Sequence, residues 1–173
     1  AGNMLATAFA IDGKYAAVIP TFGGERRGAP VSASLRFDDQ PIREKTLTYQ
    51  VNGLIALDPV SGLFPNVFHG LRPKGVFLIN RAKLLTENPN ENMAKVGVIN
   101  ATGIAIEELG TPIPNTCMLG AFASLTRWVT LDSVFKSLAG RFDGERLEKN
   151  IKAAQRGFNE VKIIQWDKEG IKR

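Results

Sequence analysis

Two adjacent arginines in a glycine-rich stretch, Thr-Phe-Gly-Gly-Glu-Arg-Arg-Gly-Ala-Pro at residues 21–30, are the densest chemistry in the sequence. Glycines let successive backbone N–H groups point into one concavity and form an anion nest. Guanidinium groups add fixed positive charge in a fork geometry that matches phosphate. Gly24 and Gly28 flank Glu25, Arg26 and Arg27, so a phosphate-bearing ligand suits the segment. The same residues also suit a surface turn in which Glu25 holds one arginine and water takes the other, an exposed pair worth ~0–1 kcal/mol. The local sequence leaves both readings open.

The other reactive residue types are sparse. His69 is the sole histidine, in Asn-Val-Phe-His-Gly-Leu, with no serine, cysteine or carboxylate motif to complete a triad. A general base stays open there, but a packed or surface histidine is the expectation. Cys117 is the sole cysteine, which excludes an intrachain disulfide, a four-thiolate zinc site and a self-contained iron–sulfur cluster. A helix amino end would lower its pKa, yet Cys-Met-Leu-Gly-Ala-Phe reads as core, so a buried, inert thiol is expected. The carboxylate pairs Asp38–Asp39 and Glu107–Glu108 are neighbours in sequence, which aims them apart and predicts solvated groups. Arg127, Trp128, Phe142 and Arg156 combine charge with aromatics but form no recognisable stacking motif, so nucleic acid is not the expected partner. Walker A and G-x-G-x-x-G sequences are absent. No catalytic residue and no metal ligand is assigned.

The elements that must position the arginine loop follow from periodicity. Met4, Leu5, Ala8, Phe9 and Ile11 fall at helical spacing and Gly13 stops the helix, which predicts an end near Asp12. Tyr-Ala-Ala-Val-Ile-Pro reads as a strand, and Val31, Ala33, Leu35 and Phe37 alternate in a second, so the loop sits at the bend of a strand–loop–strand unit. Residues 53–59, 75–80 and 95–100 are continuous apolar runs, each closing on Asp or Asn, which suits interior strands covered on both faces. Helices are predicted around 61–71 (interrupted by Pro65), at 102–109, from Asn115, from Leu131 and over 144–160. Asn115 or Thr116 is the expected cap of the third, and Asp132 of the fourth. Leu147, Ile151 and Ala154 form the inner face of the last helix, and the tail beyond it reads as a strand or arm. The alternation predicts an α/β fold, a three-layer α/β/α sandwich around a mostly parallel or mixed sheet.

At 173 residues, 44% hydrophobic and 23% charged, the chain fits one globular domain over 1–173 without repeat or linker. The net charge of +5 leans toward acidic or phosphorylated partners, but 17 acidic residues lie among the 22 basic ones, so the bias is mild. No apolar run approaches the ~20 residues a bilayer span needs, and no leader pattern opens the sequence. A reducing, cytoplasmic setting without a membrane partner is the expectation.

Over Thr21 to Leu47 the sequence resembles the gamma component of the 2-oxoacid:ferredoxin oxidoreductases, the pyruvate synthase group. The matching pieces are Gly13–Tyr15, Phe22–Pro30, Arg36–Asp39 and Pro41–Arg43. Further matches fall at Leu57–Pro59, at Asn100–Ala121 and at Lys149–Phe158, so the likeness covers nearly the whole chain. The resemblance implies a fold like domain III of pyruvate–ferredoxin oxidoreductase. It implies the gamma subunit of a complex that oxidatively decarboxylates a 2-oxoacid, pyruvate first, with coenzyme A and ferredoxin. Thiamine diphosphate, Mg and [4Fe–4S] clusters would belong to alpha, beta and ferredoxin-like delta subunits, which agrees with the single cysteine. In fused relatives a basic pair in the place of Arg26 and Arg27 faces the coenzyme A phosphates.

The resemblance also implies a strand and glycine-rich turn ahead of the first helix, a ready anion site, which these 173 residues lack. Asn3 matches an asparagine that follows that turn. The site expectation is therefore Asn3, Gly24, Arg26, Arg27 and Gly28 on coenzyme A phosphates or at a subunit boundary. Alternatives are the same complex acting on 2-oxoglutarate, a branched-chain or an aryl 2-oxoacid, or a purely structural subunit.

Overall fold

The computed structural model describes residues 1–21, 32–43, 46, 49–60, 63–167 and 170–172. Helix α1 (Gly2–Ile11) leads into a hairpin of β1 (Tyr15–Thr21) and β2 (Ser32–Asp38), antiparallel from Tyr15↔Asp38 to Thr21↔Ser32. β3 (Val51–Ala56), a 3₁₀ helix (Pro65–Phe68), β4 (Leu71–Asn80) and β5 (Met93–Ile99) follow. Helices α2 (Ala101–Leu109), α3 (Asn115–Thr126), α4 (Leu131–Ala139) and α5 (Gly144–Glu160) come next, and β6 (Lys162–Asp167) and β7 (Gly170–Lys172) close the chain. The larger sheet has the order β3-β4-β5-β6-β7, parallel through β5 and antiparallel beyond.

The period of two in β4 decides which core each residue enters. Leu78 points to the helical side, where Ile99 of β5, Met118, Leu119, Phe122 and Leu125 of α3, and Leu5 and Phe9 of α1 join it in one cluster. Phe77 and Ile79 point the other way and meet Val96, Val98, Phe68 and Leu85. Phe77, Leu78 and Ile79 are all fully buried, and each such side chain is worth roughly 1.5–3 kcal/mol of burial. The α/β class and the mixed sheet are as expected. One face carries the α-helices; the opposite cluster draws on the 3₁₀ helix and the 81–92 segment rather than on a long helix.

Several local expectations are corrected. Among the described residues the run at 53–59 lies at the edge of the sheet rather than in its interior: β3 pairs only with β4, and Ile55 keeps 37% exposure. A run of apolar residues does not distinguish an edge from a centre. Around 61–71 the described residues form 3₁₀ turns, at Leu63 and over Pro65–Phe68, rather than an α-helix, with Pro65 opening the latter and Gly70 at φ 82° turning the chain into β4. Neither Asn115 nor Thr116 caps α3; the cap position is Pro114, and the buried Thr116 hydroxyl donates instead to Asn150 Oδ1 of α5 (2.7 Å). Thr130, not Asp132, caps α4 by accepting from the Ser133 N–H, while Asp132 pairs with Lys136 at 2.6 Å. Gly144–Glu160 is α5 as predicted, with Ala154 buried and Leu147 and Ile151 packed on the core.

Helices α3 and α5 cross in closest contact through glycine. A methyl group at Gly120 would overlap the Ala154 carbonyl oxygen, and one at Gly157 would overlap the Cys117 carbonyl oxygen. Backbone therefore meets backbone at this crossing, which any side chain would hold apart.

Candidate functional site

Arg26, Arg27, Gly24 and Gly28 lie outside the described residues; what the structure describes is the frame that carries them. The last described pair of the hairpin, Thr21↔Ser32, leads straight into 22–31. The amino end of α1 lies at that same end, since a Cβ at Gly2 would touch Val18 Cγ1 at 3.4 Å and Ala33 Cβ at 3.8 Å, and Ala33 pairs with Pro20. Asn3 follows in the first turn, exposed, its carbonyl accepting from the Thr7 hydroxyl at 3.0 Å. Asn3 and the stems of the arginine loop thus share one end of the hairpin.

The other end of the hairpin is fastened. Phe37 of β2 stacks on Phe9 of α1 (centroids 3.9 Å apart, planes 10°) and leans on Trp128 at 5.6 Å. Phe122 meets both Phe9 and Trp128 edge-on. Such aromatic pairs add ~0.5–1.5 kcal/mol each beyond their area. Lys14 pairs with Asp39 at 2.8 Å. Asp12, the C-cap of α1, accepts from the Thr130 N–H (2.7 Å), the Thr130 hydroxyl (2.8 Å) and the Ser133 hydroxyl. Burial works to raise the pKa of Asp12, but the hydrogen bonds from Ser133 and Thr130 outweigh it, with Lys14 helping, so the carboxyl titrates below its ordinary range.

A second rigid feature sits at the carboxyl ends of the parallel strands, where ligands of open α/β sheets gather. Asn80 ends β4 and is 3% exposed. Its Nδ2 donates to the Leu57 carbonyl and to Thr102 Oγ1, both at 2.8 Å, and its Oδ1 accepts from the Thr102 N–H at 3.1 Å. One side chain thereby ties the end of β3, the end of β4 and the start of α2. Asn100 caps the same helix by accepting from the Gly103 N–H at 3.1 Å. These two amino-terminal donors of α2 are satisfied within the chain. Asp58 follows the clamp and accepts from the Val60 N–H at 2.7 Å, which shapes the Asp58–Pro59 turn.

The remaining singled-out residues resolve as follows. His69 is exposed behind the 3₁₀ helix. Cys117 is buried, and burial pushes its thiol pKa up to about 12, so it is an inert core residue as expected. Glu107 and Glu108 depart from expectation: both reach Nη1 of Arg156, at 2.6 and 2.9 Å, and Lys152 adds a contact to Glu108 at 3.1 Å. They converge because the guanidinium comes from α5, across the helix pair. Arg127 lies over the Phe158 ring at 4.9 Å. Among the described residues no group of three His, Cys, Asp or Glu side chains converges as a metal site, and no helix is long and apolar enough to cross a membrane.

Sequence reasoning missed the Asp12 clasp and the Asn80 clamp. The only available signal was that the apolar runs close on Asp or Asn, polar residues placed at strand ends.

Comparison with known proteins adds the following. The family model described as pyruvate ferredoxin/flavodoxin oxidoreductase matches residues 1–160. The gamma subunit common to the pyruvate and ketoisovalerate oxidoreductases of Thermococcus kodakarensis is 42% identical over 168 residues, 95% of this chain and 91% of that one. The crystal structure of pyruvate oxidoreductase subunit PORC from Thermotoga maritima superposes with a TM-score of 0.80 at 32% identity, covering 94% and 88% of the two chains. A 2-oxoglutarate:ferredoxin oxidoreductase from Magnetococcus marinus, solved with 2-oxoglutarate, coenzyme A and succinyl-CoA bound, shares the fold at a TM-score of 0.73 and 19% identity. It aligns with 90% of this chain but 27% of its own length.

Proposed function

This chain belongs to the pyruvate ferredoxin/flavodoxin oxidoreductase family as a gamma-type subunit of a multi-subunit 2-oxoacid oxidoreductase, and on that premise we propose that its arginine loop closes over coenzyme A. The complex converts pyruvate, coenzyme A and oxidised ferredoxin to acetyl-CoA, carbon dioxide and reduced ferredoxin in the cytoplasm. Thiamine diphosphate with Mg supplies the decarboxylation chemistry, and [4Fe–4S] clusters carry the electrons. These groups reside on the alpha, beta and ferredoxin-like delta partners, because a chain with a single, buried cysteine and, among the described residues, no convergent ligand set does not suit them. The names of the relatives, pyruvate and ketoisovalerate among them, support pyruvate as the oxoacid and keep a branched-chain substrate next to it.

The observation that carries the reading is a hairpin locked at its base by Phe9, Phe37 and Trp128 whose other end, closing at Thr21↔Ser32, lies beside the amino end of α1. A rigid stem under a glycine-flanked arginine pair lets cationic donors meet a mobile ligand without giving up their orientation. Arg26 and Arg27 bind the coenzyme A phosphates with paired N–H donors. Gly24 and Gly28 let the backbone approach, and Asn3 forms the facing wall.

The test is the double substitution Arg26→Ala with Arg27→Ala in the assembled complex. Loss of two charge-assisted contacts raises the KM for coenzyme A by roughly 100-fold, while thiamine-dependent decarboxylation of pyruvate stays near the wild-type rate. An unchanged KM sinks the assignment. Loss of the companion subunits on size exclusion, at unchanged coenzyme A affinity of what remains, makes the loop an interface element instead.

A further inference from the structure

On the helical face of the sheet, at the amino ends of β4 and β5, a groove of about 430 Å³ is lined by Lys74, Val76, Lys95, Thr126, Trp128 and Gln165 among others. It is remote in the fold from the carboxyl ends of the strands, where the Asn80 clamp lies. Two cations enter it, and no carboxylate belongs to its lining. Among the described residues the lysine ion pairs are those of Lys14, Lys136, Lys149 and Lys152; neither Lys74 nor Lys95 takes part in one. Lys95 is half-buried, and its ammonium meets the Leu125 carbonyl only at the long distance of 3.5 Å. Half-buried charges are ordinarily paired, because desolvation costs more than a single distant carbonyl returns.

The groove is also built rather than incidental. Lys74 has φ 64°, in the left-handed region that a residue with a Cβ enters at a cost of order 1 kcal/mol or more. It stands between Pro73 and Gly75, where the register of β4 against β5 shifts. A methyl group at Gly75 would crowd the Leu71 side chain and the Arg72 carbonyl. Lys74 keeps the parity of Val76 in β4, and both side chains line the groove. The wall opposite is Trp128, whose ring lies over Gly53 and is held by Phe37 and Phe122. Lys95 and Gln165 are direct cross-strand partners and line the floor.

We propose that this groove docks an acidic segment of a companion subunit, one carboxylate side chain meeting Lys74 and Lys95 while a neighbouring apolar side chain lies on Trp128. The proposal rests on the chain's being a gamma-type subunit, and charge complementarity selects the partner. Two ammonium groups without a carboxylate partner among the described residues, beside a fixed aromatic face, match a mixed acidic and apolar peptide better than a wholly apolar one.

The experiment co-expresses the tagged chain with its companion subunits and measures how much of each companion is retained on affinity capture as salt is raised. Wild type holds its companions less well with rising salt, since the Debye length falls from about 10 Å at 0.1 M to about 3 Å at 1 M. Lys74→Glu with Lys95→Glu lowers retention by at least about tenfold at 0.1 M salt, as like charges then face each other. Lys74→Met with Lys95→Met keeps the aliphatic stems, so the fold is spared if the reversal disturbs it; this pair loses less and flattens the salt dependence. Retention equal to wild type at every salt concentration in the methionine pair overturns the proposal. So does a free-anion result, in which retention is unchanged but citrate raises the Tm of the wild-type complex and not of the variant. A wild-type chain that retains no companion at all overturns the proposal together with its premise. Failure of the coenzyme A reading leaves a different trace, an unchanged KM in the Arg26→Ala, Arg27→Ala complex.

Discussion

Asp12 closes α1 onto α4 by accepting both the backbone N–H and the hydroxyl of Thr130, 118 residues away in sequence. Thr130 is also the N-cap of α4, so one carboxylate orients the residue that starts the next helix. Removing it therefore touches two elements.

For Asp12→Asn we expect a loss of about 1–2 kcal/mol at pH 7, the range for hydrogen bonds to a charged but partly solvated group. The folded-state pKa lies below that of an unfolded aspartate. The contribution is thus fully present above pH ~4 and is lost as pH falls through the folded value. Urea unfolding of both proteins at pH 7 and near pH 3 checks this: the gap between them narrows at the lower pH, and a constant gap refutes the charge-based account.

Asn80 is expected to be costlier to change. Asn80→Ala removes three hydrogen bonds from a 3% exposed site and leaves the Leu57 carbonyl and the Thr102 N–H without their partner, a loss of about 2–4 kcal/mol. Asn80→Asp keeps the shape but sets a carboxylate oxygen against the Leu57 carbonyl. Its protonated form can donate there, so its deficit shrinks as pH falls, the same direction as the Asp12→Asn gap but through a repulsion relieved rather than an attraction lost. Denaturation midpoints across pH 4–8 separate the two substitutions.

The α3–α5 crossing gives a sharp contrast among glycines. Gly120→Ala and Gly157→Ala each force backbones apart and are expected to cost more than about 3 kcal/mol, or to prevent folding. Gly140→Ala meets nothing nearer than the Ser137 carbonyl oxygen at 3.6 Å and sits at φ −73°. It should be neutral or stabilising by up to about 1 kcal/mol. Thermal unfolding of the three variants is the measurement, and a Gly157→Ala protein as stable as Gly140→Ala would contradict the described packing.

Cys117 is expected to resist thiol reagents in the native protein, being 1% exposed with a thiol pKa of about 12. A colorimetric disulfide reagent at pH 8 should label no cysteine until denaturant is added, then one per chain. Rapid native labelling would show that α3 opens readily.

The sequence by itself determined the kinds of element and their order. Helical spacing in Met4–Ile11 and in Gly144–Glu160, a strand–loop–strand unit about the arginines, and apolar runs for β4 and β5 are all local signals, because periodicity reflects which face of one element is buried. The motif spacings along nearly the whole chain carried the family likeness, and with it the expected site at Asn3, Gly24, Arg26, Arg27 and Gly28. Tertiary structure alone decided what depends on a partner distant in the chain. It left β3 paired with β4 alone among the described residues, took Thr116 away from the cap of α3 to serve Asn150, drew Glu107 and Glu108 to one guanidinium, and set Asn80 between Leu57 and Thr102. The physical reason is the same in each case. A short-range pattern says whether a group is buried, whereas a hydrogen bond or ion pair is chosen by which elements packing brings within about 3 Å, and no spacing along the chain encodes that distance.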